Sequence, residues 1–309
     1  MTTVDEHTGS IEDLTGLESP TDEELARSLP GDFRSMYADL DGVRLHYVAG
    51  GEGEPLVLLP GWPQTWWEFR KIMPELARRY RVIAVDLRGM GGSSRPEGGY
   101  DKKSMAADIR ALVHHLGYQS VNVAGHDIGA MVAFSLAVNH PEAVRKLALL
   151  DVMHPGESKY SMPLLRRPGT GVSMWWWAFN QTKDLPEKLI AGRMRHVVDW
   201  IFANSLYDQD SVSPCDRAIF ARAYDTPEQI RATNGWYRAF PQDIEDMATY
   251  DKVTVPVLGI ASPVSHEEFE QVLPSLAPDV RVVKLYETLH WLPEEQPEPV
   301  IRLLTEFFA

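Results

Sequence analysis

The residues Val121-Asn122-Val123-Ala124-Gly125-His126-Asp127-Ile128-Gly129-Ala130 predict a strand, a sharp turn and a helix in direct succession. The apolar start is typical of a buried strand, and the residues from Gly129 onward have helical periodicity. Glycines two residues before and after Asp127 permit a tight turn, because a Cβ at either place would collide with neighbouring elements. We therefore expect the Asp127 side chain to project above a sheet, at a helix N-terminus that favours an anion.

A carboxylate at such a turn has a chemistry of its own. It can attack a carbon atom directly, without a base to deprotonate it, and the product is an ester on the protein. In the better-known form of the turn this residue is a serine, so Asp127 argues against ester or amide hydrolysis by the serine route. The alternative is an aspartate that only caps the helix.

Strands and helices alternate on both sides of the turn. This order predicts an α/β fold with a mostly parallel sheet and helices on both faces. The predicted strands are Val43–Ala49, Leu56–Leu59, Arg81–Asp86, Val121–Ala124, Lys146–Leu150, Val255–Ala261 and Val280–Leu285, and the predicted helices include Lys103–Leu116, Gly129–Asn139 and Pro299–Phe308.

The alternation breaks between residues 156 and 245, and this break predicts the domain organisation. The segment contains amphipathic stretches, such as Leu185–Phe202 and Ser213–Tyr224, and no convincing strand. We interpret it as a helical cap domain over the carboxyl ends of the strands, where open α/β sheets bind ligands. The main domain then comprises residues 31–155 and 246–309. Residues 1–30 are expected to form a partly disordered acidic extension, with one short helix near Asp22–Leu29.

Composition narrows the class of protein. The 309 residues include 44 acidic and 30 basic side chains, for a formal net charge of -14, and eight of the acidic residues lie in the first 30 positions. This balance argues against nucleic acid or an anionic membrane as a partner. The single Cys215 excludes a disulfide framework and cysteine-rich zinc sites. The first residues do not have the pattern of a signal peptide and no long apolar window occurs, so we expect a cytoplasmic protein.

Motifs in a fixed order match a known family. They are the Asp127 turn, the loop Leu59-Pro60-Gly61-Trp62-Pro63, the segment Asp86-Leu87-Arg88-Gly89-Met90-Gly91-Gly92-Ser93 and the loop Leu289-His290-Trp291-Leu292-Pro293-Glu294-Glu295-Gln296-Pro297. Over roughly residues 35–308 the chain resembles the epoxide hydrolase and dehalogenase branch of the α/β-hydrolase superfamily. The epoxide hydrolases are the most similar group. The resemblance implies a mostly parallel eight-stranded sheet with an inserted helical cap, and Pro60 stands where the family usually has histidine.

The resemblance also implies a nucleophile and a base. Asp127 matches the nucleophile, and His290 matches the histidine that activates water. His126, beside the nucleophile, is expected to be structural. The backbone amides of Trp62 and Ile128 are expected to converge on the Asp127 carboxyl oxygen as an oxyanion hole.

The acid that orients the histidine departs from the usual pattern. Epoxide hydrolases usually carry it just after the strand that here is Val255–Ala261, and this chain has Ser262-Pro263-Val264-Ser265 there. Some dehalogenases place their acid at the end of the preceding strand, which here is Asp151, and we take Asp151 as the partner of His290. Glu267 and Glu268 are the alternatives.

In the family, two cap tyrosines donate hydrogen bonds to the epoxide oxygen. Tyr237, in Asn234-Gly235-Trp236-Tyr237-Arg238, matches one of them, and the first cap helix contains three tryptophans where the second is expected. Trp176 and Trp177 are candidate donors, because an indole N–H can polarise an oxygen or a halide but cannot deliver a proton. The expected substrate pocket is lined by aromatic and apolar side chains: Trp175, Trp236, Pro63 and Phe179.

Taken together, these motifs predict an epoxide hydrolase that opens a bulky, aromatic, natural-product-like epoxide of secondary metabolism to a vicinal diol. A dehalogenase with the same nucleophile is the first alternative, although Ile128 and Met131 replace family residues that bind a halide or a carboxylate. A non-hydrolytic ligand-binding homologue is the second, motivated by Pro60 and Pro263. We expect no cofactor and no metal, a small-molecule epoxide as the partner, and a monomer or homodimer that binds neither nucleic acid nor membrane.

Overall fold

A computed structural model of the chain describes residues 20–163 and 172–309. Eight strands form one sheet: β1 (Arg34–Leu40), β2 (Val43–Gly50), β3 (Glu54–Leu59), β4 (Tyr80–Val85), β5 (Val121–His126), β6 (Val144–Leu150), β7 (Val257–Ala261) and β8 (Val280–Lys284). Their order is β1-β2-β4-β3-β5-β6-β7-β8. β2 runs antiparallel to β1 and β4, and all other neighbours are parallel. The α/β-hydrolase fold and its mostly parallel eight-stranded sheet are thus confirmed.

Helices precede β1, follow β8 and fill the connections from β3 to β8. They are α1 (Asp22–Ser28), α2 (Met73–Leu76), α3 (Lys102–His115), α4 (Ile128–Asn139), α5 (Trp175–Gln181), α6 (Leu185–Ile190), α7 (Met194–Ser205), α8 (Pro214–Arg222), α9 (Pro227–Arg238), α10 (Phe240–Met247), α11 (His266–Leu276), α12 (Leu292–Glu295) and α13 (Pro297–Phe308). The predicted stretch Leu185–Phe202 contains two helices, α6 and α7. They are separated at Gly192, which has φ +72°. None of the helices in the two described ranges is long and apolar enough to cross a membrane.

The β5–α4 unit lies at the centre of the molecule. Every residue of β5 is buried, and α4 is buried from Ile128 to Ala137. A helix that is apolar all round belongs in a core. The close approach of α4 to the sheet depends on Gly129, where a Cβ would lie 2.0 Å from the carbonyl oxygen of Leu59. The packing of α4 against the sheet therefore fixes the position of the turn at Asp127, between β5 and α4.

The N-terminal residues of the described chain pack against the main domain. Thr21 and Glu24 form a capping box at the start of α1, and Leu25 is buried. The indole N–H of Trp66 donates to Asp22 at 2.8 Å. The helix expected near Asp22–Leu29 is therefore present and docked, whereas residues 1–19 of the acidic extension lie outside the described residues.

Strand β1 was not expected from the sequence. It is an edge strand in which only Ala38 is buried, and Arg34, Ser35 and Asp39 interrupt the apolar run that marks the inner strands. It pairs along its whole length with β2, from Arg34 opposite Ala49 to Leu40 opposite Val43.

Helices α5 to α10, here called the cap helices, lie in the chain between β6 and β7. Ion pairs and hydrogen bonds fasten them to the main domain. Lys102 of α3 and Asp243 of α10 are fully buried and lie 2.7 Å apart, and the Lys102 ammonium also donates to the carbonyl oxygen of Trp236 at 2.8 Å. Arg70 pairs with Asp216 of α8 at 2.9 Å. These contacts join the cap helices to the edge of the sheet that carries Asp127.

Candidate active site

Asp127 occupies a strained backbone conformation between β5 and α4. Its φ is +50° and its ψ is -120°, a region that non-glycine residues adopt at a cost of about 1–3 kcal/mol and that is common at functional sites. The chain can turn this sharply because a Cβ on Gly125 would lie 2.3 Å from the carbonyl oxygen of Gly129. A Cβ on Gly61 would likewise lie 2.5 Å from the Asp127 Cβ. The two glycines thus let neighbouring backbone close around the carboxylate.

The loop after β3 supplies a hydrogen bond to that carboxylate. The backbone N–H of Trp62 donates to Asp127 Oδ1 at 3.0 Å. Trp62 is followed by the buried Pro63, to which it is joined by a cis peptide bond. Ile128 is the first residue of α4, so its N–H belongs to the first turn of the helix, whose amides have no partner within the helix.

His290 lies between two carboxylates. Its Nε2 is 3.7 Å from Asp127 Oδ2, and its Nδ1 is 2.7 Å from Asp151 Oδ2. An N–H at Nδ1 that donates to a carboxylate leaves the lone pair on Nε2, the nitrogen that faces Asp127. The structure therefore brings the three predicted residues together with a usable tautomer.

Asp151 is held by the segment that replaces the usual acid of the family. The backbone N–H of Ser262 donates to Asp151 Oδ1 at 2.8 Å, and the Ser265 hydroxyl donates to the same oxygen. The Asp151 side chain is thus fixed from the end of β7 while its second oxygen contacts His290. The alternative acids lie elsewhere: Glu268 pairs with Lys159 at 3.3 Å, and Glu267 accepts from Gln271 in α11.

An aromatic cluster of Trp62, Trp176, Trp177, Tyr237 and Phe240 surrounds this group of residues. Trp62 stacks on Trp176 with centroids 6.4 Å apart and meets Tyr237 edge-on at 5.6 Å. Trp177 contacts Tyr237 at 6.3 Å and Phe240 at 4.9 Å. Because the backbone of Trp62 contacts Asp127, the same residue links the carboxylate to the aromatic side chains of α5 and α9.

The surroundings of Tyr237 keep its hydroxyl group protonated. It is 2% exposed, and burial together with the nearby Asp127 carboxylate raises the pKa of its hydroxyl well above the usual value of 10. The Trp176 indole and the Asn180 amide lie beside the hydroxyl and act in the opposite direction. The phenol is therefore neutral at ordinary pH and can act as a hydrogen-bond donor.

Three further predicted pocket residues, Trp175, Phe179 and Trp236, make the following contacts with residues other than Asp127. Trp175 contacts Phe179 and Trp200 at 5.6 Å each, on the side of the cap helices where Trp200 is 37% exposed. Trp236 is fully buried, and its indole N–H donates to the carbonyl oxygen of Arg88 at 3.0 Å. Their observed contacts pack the cap helices.

Several residues of the site were not expected from the sequence. They are Phe240 and Asn180 of the aromatic region, Ser262 and Ser265 at Asp151, and Glu68, which pairs with His126 at 2.8 Å beneath the turn. For Glu68 a signal was present, since an acid within the apolar run Trp66-Trp67-Glu68-Phe69 predicts a buried carboxylate that needs a partner.

Comparison with known proteins agrees with this fold. Residues 54–205 match the family model of the alpha/beta hydrolase fold. The chain is 35% identical to a soluble epoxide hydrolase of Corynebacterium sp. (strain C12), over 88% of this chain and 96% of that protein. It is 30% identical to a fluoroacetate dehalogenase of Burkholderia sp, over 90% of this chain and 94% of that protein. The solved structure of the epoxide hydrolase CorEH without ligand has a sequence 34% identical to this chain. It superposes with a TM-score of 0.79, over 90% of this chain and 99% of that chain.

The chain is therefore a hydrolase of the α/β-hydrolase superfamily. It belongs to the branch of that superfamily that includes epoxide hydrolases and dehalogenases.

Proposed function

We propose that the protein is an epoxide hydrolase that works through an ester on Asp127. The observation that carries this proposal is the position of His290, with Nε2 3.7 Å from Asp127 and Nδ1 2.7 Å from Asp151. The gap at Nε2 exceeds hydrogen-bonding distance, and it leaves the nitrogen free to take a proton from a water molecule beside Asp127.

The first step forms the ester. An Asp127 carboxylate oxygen attacks an epoxide carbon, and the bond between that carbon and the epoxide oxygen breaks. Tyr237 gives its hydroxyl proton to the departing alkoxide, and solvent later restores it. The indole N–H groups of Trp176 and Trp177 can donate hydrogen bonds to the same oxygen without releasing a proton.

The second step hydrolyses the ester. His290 takes a proton from water, and the resulting hydroxide adds to the carbonyl carbon of Asp127 while Asp151 stabilises the imidazolium. The negative oxygen of the tetrahedral intermediate is held by the backbone N–H groups of Trp62 and Ile128. The intermediate then releases the diol, whose leaving alkoxide takes the proton from His290. Asp127 is left as a carboxylic acid and loses its proton to solvent, which balances the proton that Tyr237 regains.

The aromatic cluster favours a bulky, aromatic epoxide, such as one formed in natural-product metabolism. The backbone of Trp62 contacts the nucleophile, and its ring contacts Trp176 and Tyr237. Trp177 contacts Tyr237 in turn. Aromatic rings prefer stacked or edge-on neighbours at such centroid distances, so a flat aryl substituent fits these surroundings better than a small anion.

An oxygen-18 experiment tests the mechanism. A single turnover in labelled water is expected to place the label on Asp127 and to leave the diol unlabelled, because the diol oxygen comes from the carboxylate. Direct attack of water would instead label the diol in the first turnover. His290→Ala is expected to trap the ester, seen as an intact-mass increase equal to the mass of an aryl epoxide such as styrene oxide, and Asp127→Asn should give no adduct.

Dehalogenation by the same nucleophile is the second candidate. The similarity to a fluoroacetate dehalogenase and the two indole N–H groups favour it, since an indole can bind a departing halide. Against it, Ile128 and Met131 have no charge with which to hold a carboxylate substrate. Halide release from fluoroacetate or bromoalkanes at a rate above that of diol formation would support this candidate instead. A ligand-binding protein without catalysis would keep its biological activity in the Asp127→Asn variant.

A further inference from the structure

A buried pair of side chains, Glu68 and His126, lies beneath the Asp127 turn and takes no part in the steps proposed above. Glu68 belongs to the short 3-10 helix Trp66–Lys71, and His126 is the last residue of β5. Both side chains are fully buried, and His126 Nδ1 is 2.8 Å from Glu68 Oε1. Neither of these two atoms has a hydrogen-bond partner in the described chain, so the charge of each is compensated by the short ion-pair contact between them.

The protons of this pair follow from its surroundings. His126 Nε2 lies 2.9 Å from the backbone carbonyl oxygen of His290, and a carbonyl can only accept, so Nε2 carries a hydrogen. Nδ1 lies 2.8 Å from the Glu68 carboxylate, whose negative charge favours a second hydrogen on the ring. Burial disfavours the imidazolium, but the Glu68 carboxylate, with Asp127 and Asp151, outweighs burial and raises the pKa of His126 to about 9. At neutral pH the ring therefore carries a hydrogen on both nitrogens, and Nε2 donates to the His290 carbonyl oxygen.

The pair connects the two loops that act on the ester. Glu68 Oε2 accepts the backbone N–H of Gly61 at 2.9 Å, and the next N–H along the chain, that of Trp62, donates to Asp127 Oδ1 at 3.0 Å. On the other side, His126 holds the main chain of His290, and the two rings are 4.7 Å apart. A continuous set of contacts thus runs from the Trp62 amide, under Asp127, to the base.

We propose that Glu68 and His126 are positioning residues that align the Trp62 amide and His290 for hydrolysis of the ester. This inference rests on the proposed function. As Asp127 attacks the epoxide, its negative charge disappears, so the hydrogen bond from Trp62 weakens in that step. As hydroxide adds to the ester, negative charge returns to the carboxyl oxygen and the same hydrogen bond strengthens. His290 also acts only in this second step, so loss of the pair slows ester hydrolysis more than ester formation.

The two half-reactions separate positioning from folding. A purely structural role would change the fraction of folded protein, and both rate constants would fall by one factor. The variants are Glu68→Ala, which removes the acceptor of the Gly61 N–H, and Glu68→Gln, whose carbonyl oxygen can still accept it. The control is His46→Gln in another fully buried histidine–carboxylate pair, where His46 Nδ1 lies 2.7 Å from Asp86.

Rapid-quench mass spectrometry with styrene oxide measures both rate constants. Glu68→Ala is expected to slow ester hydrolysis at least about tenfold and ester formation less than about threefold, so that the ester accumulates. Glu68→Gln should hydrolyse the ester at a rate close to that of the wild type. His46→Gln should change both rate constants by the same factor. Equal slowing of the two steps in Glu68→Ala overturns the proposal.

Failure of the proposed function and failure of the positioning role can be told apart, because the positioning role can also be measured without substrate. Wild-type protein that forms no ester would refute the proposed function, whatever the role of the pair. In protein labelled with ¹⁵N-histidine, the Nδ1 proton of His290 that faces Asp151 is assigned by its loss in His290→Ala. Glu68→Ala should shift or broaden this resonance, and Glu68→Gln should restore it. An unchanged resonance in Glu68→Ala overturns the coupling.

Discussion

Asp151 contacts Nδ1 of His290 at 2.7 Å although it stands at the end of β6, one strand before the usual position of the acid in the family. Its φ of +60° and its two donors, the Ser262 amide and the Ser265 hydroxyl, hold the carboxylate in this orientation. The serines at the usual position of the acid thus support an acid that comes from the neighbouring strand.

Asp151→Asn is expected to lower kcat by about 10²- to 10⁴-fold with little change in KM. An asparagine amide can turn its NH₂ toward Nδ1, which stabilises the wrong tautomer of His290 and leaves the imidazolium without a counter-charge. Steady-state kinetics on styrene oxide measures the effect. Glu268→Gln is the matched control, because Glu268 pairs with Lys159 at the surface and should leave kcat unchanged. A larger loss in Glu268→Gln than in Asp151→Asn would contradict the assignment.

Tyr237→Phe is expected to slow ester formation by about 10²- to 10⁴-fold, because it removes the only proton donor of the aromatic cluster. Trp176→Phe keeps the ring packing against Trp62 and loses only an N–H, so a smaller fall of about tenfold is expected. Single-turnover mass spectrometry of the ester follows both variants. Trp175→Phe, whose ring packs on Phe179 and Trp200, is the control and should not slow ester formation. If Tyr237→Phe behaves like this control, the proton comes from another group.

The features predictable from the sequence were those fixed by local sterics or by the order of elements. Asp127 was found because glycines at fixed spacing permit one kind of turn, and His290 because its loop follows the last strand. The partners of Asp151 were not predictable, since Ser262 and Ser265 meet it only when β7 pairs with β6. Such contacts depend on register across the sheet, which the pattern of a single strand does not determine.

Buried ion pairs were missed for a related reason. Glu68 lies in the apolar run Trp66–Phe69, and Lys102 directly precedes the predicted helix Lys103–Leu116. Neither pattern predicts the charge on the element packed against it. Their partners, His126 and Asp243, come from β5 and from the cap helices. A charged residue in an apolar run indicates that a partner exists, and only the tertiary structure identifies it.

Lys102→Met is expected to lower the free energy of unfolding by about 3–5 kcal/mol, because Asp243 is left buried without its counter-charge. The variant also loses the hydrogen bond to the Trp236 carbonyl, next to Tyr237. Urea denaturation measures the change. Replacing both residues, Lys102→Met with Asp243→Leu, should recover much of the loss, since an apolar pair needs no compensation.

The control for Lys102 is Arg195→Met. Arg195 pairs with Asp199 within α7, and both side chains are about a third exposed, so the change should stay within about 1 kcal/mol. If the double variant is no more stable than Lys102→Met alone, the uncompensated charge is not the cause of the instability.

The pKa of His126 predicts how stability depends on pH. A histidine with a pKa of about 9 in the folded state and about 6.5 in the unfolded state binds its proton more tightly when folded. Its contribution to stability is therefore complete below pH 6.5 and is lost as the pH rises through 9. The free energy of unfolding should fall by about 2 kcal/mol between pH 7 and pH 9.5, as measured by urea denaturation. In Glu68→Gln the main cause of the raised pKa is absent, so the fall should be much smaller. Equal slopes in wild type and Glu68→Gln would mean that His126 does not carry the titrating proton.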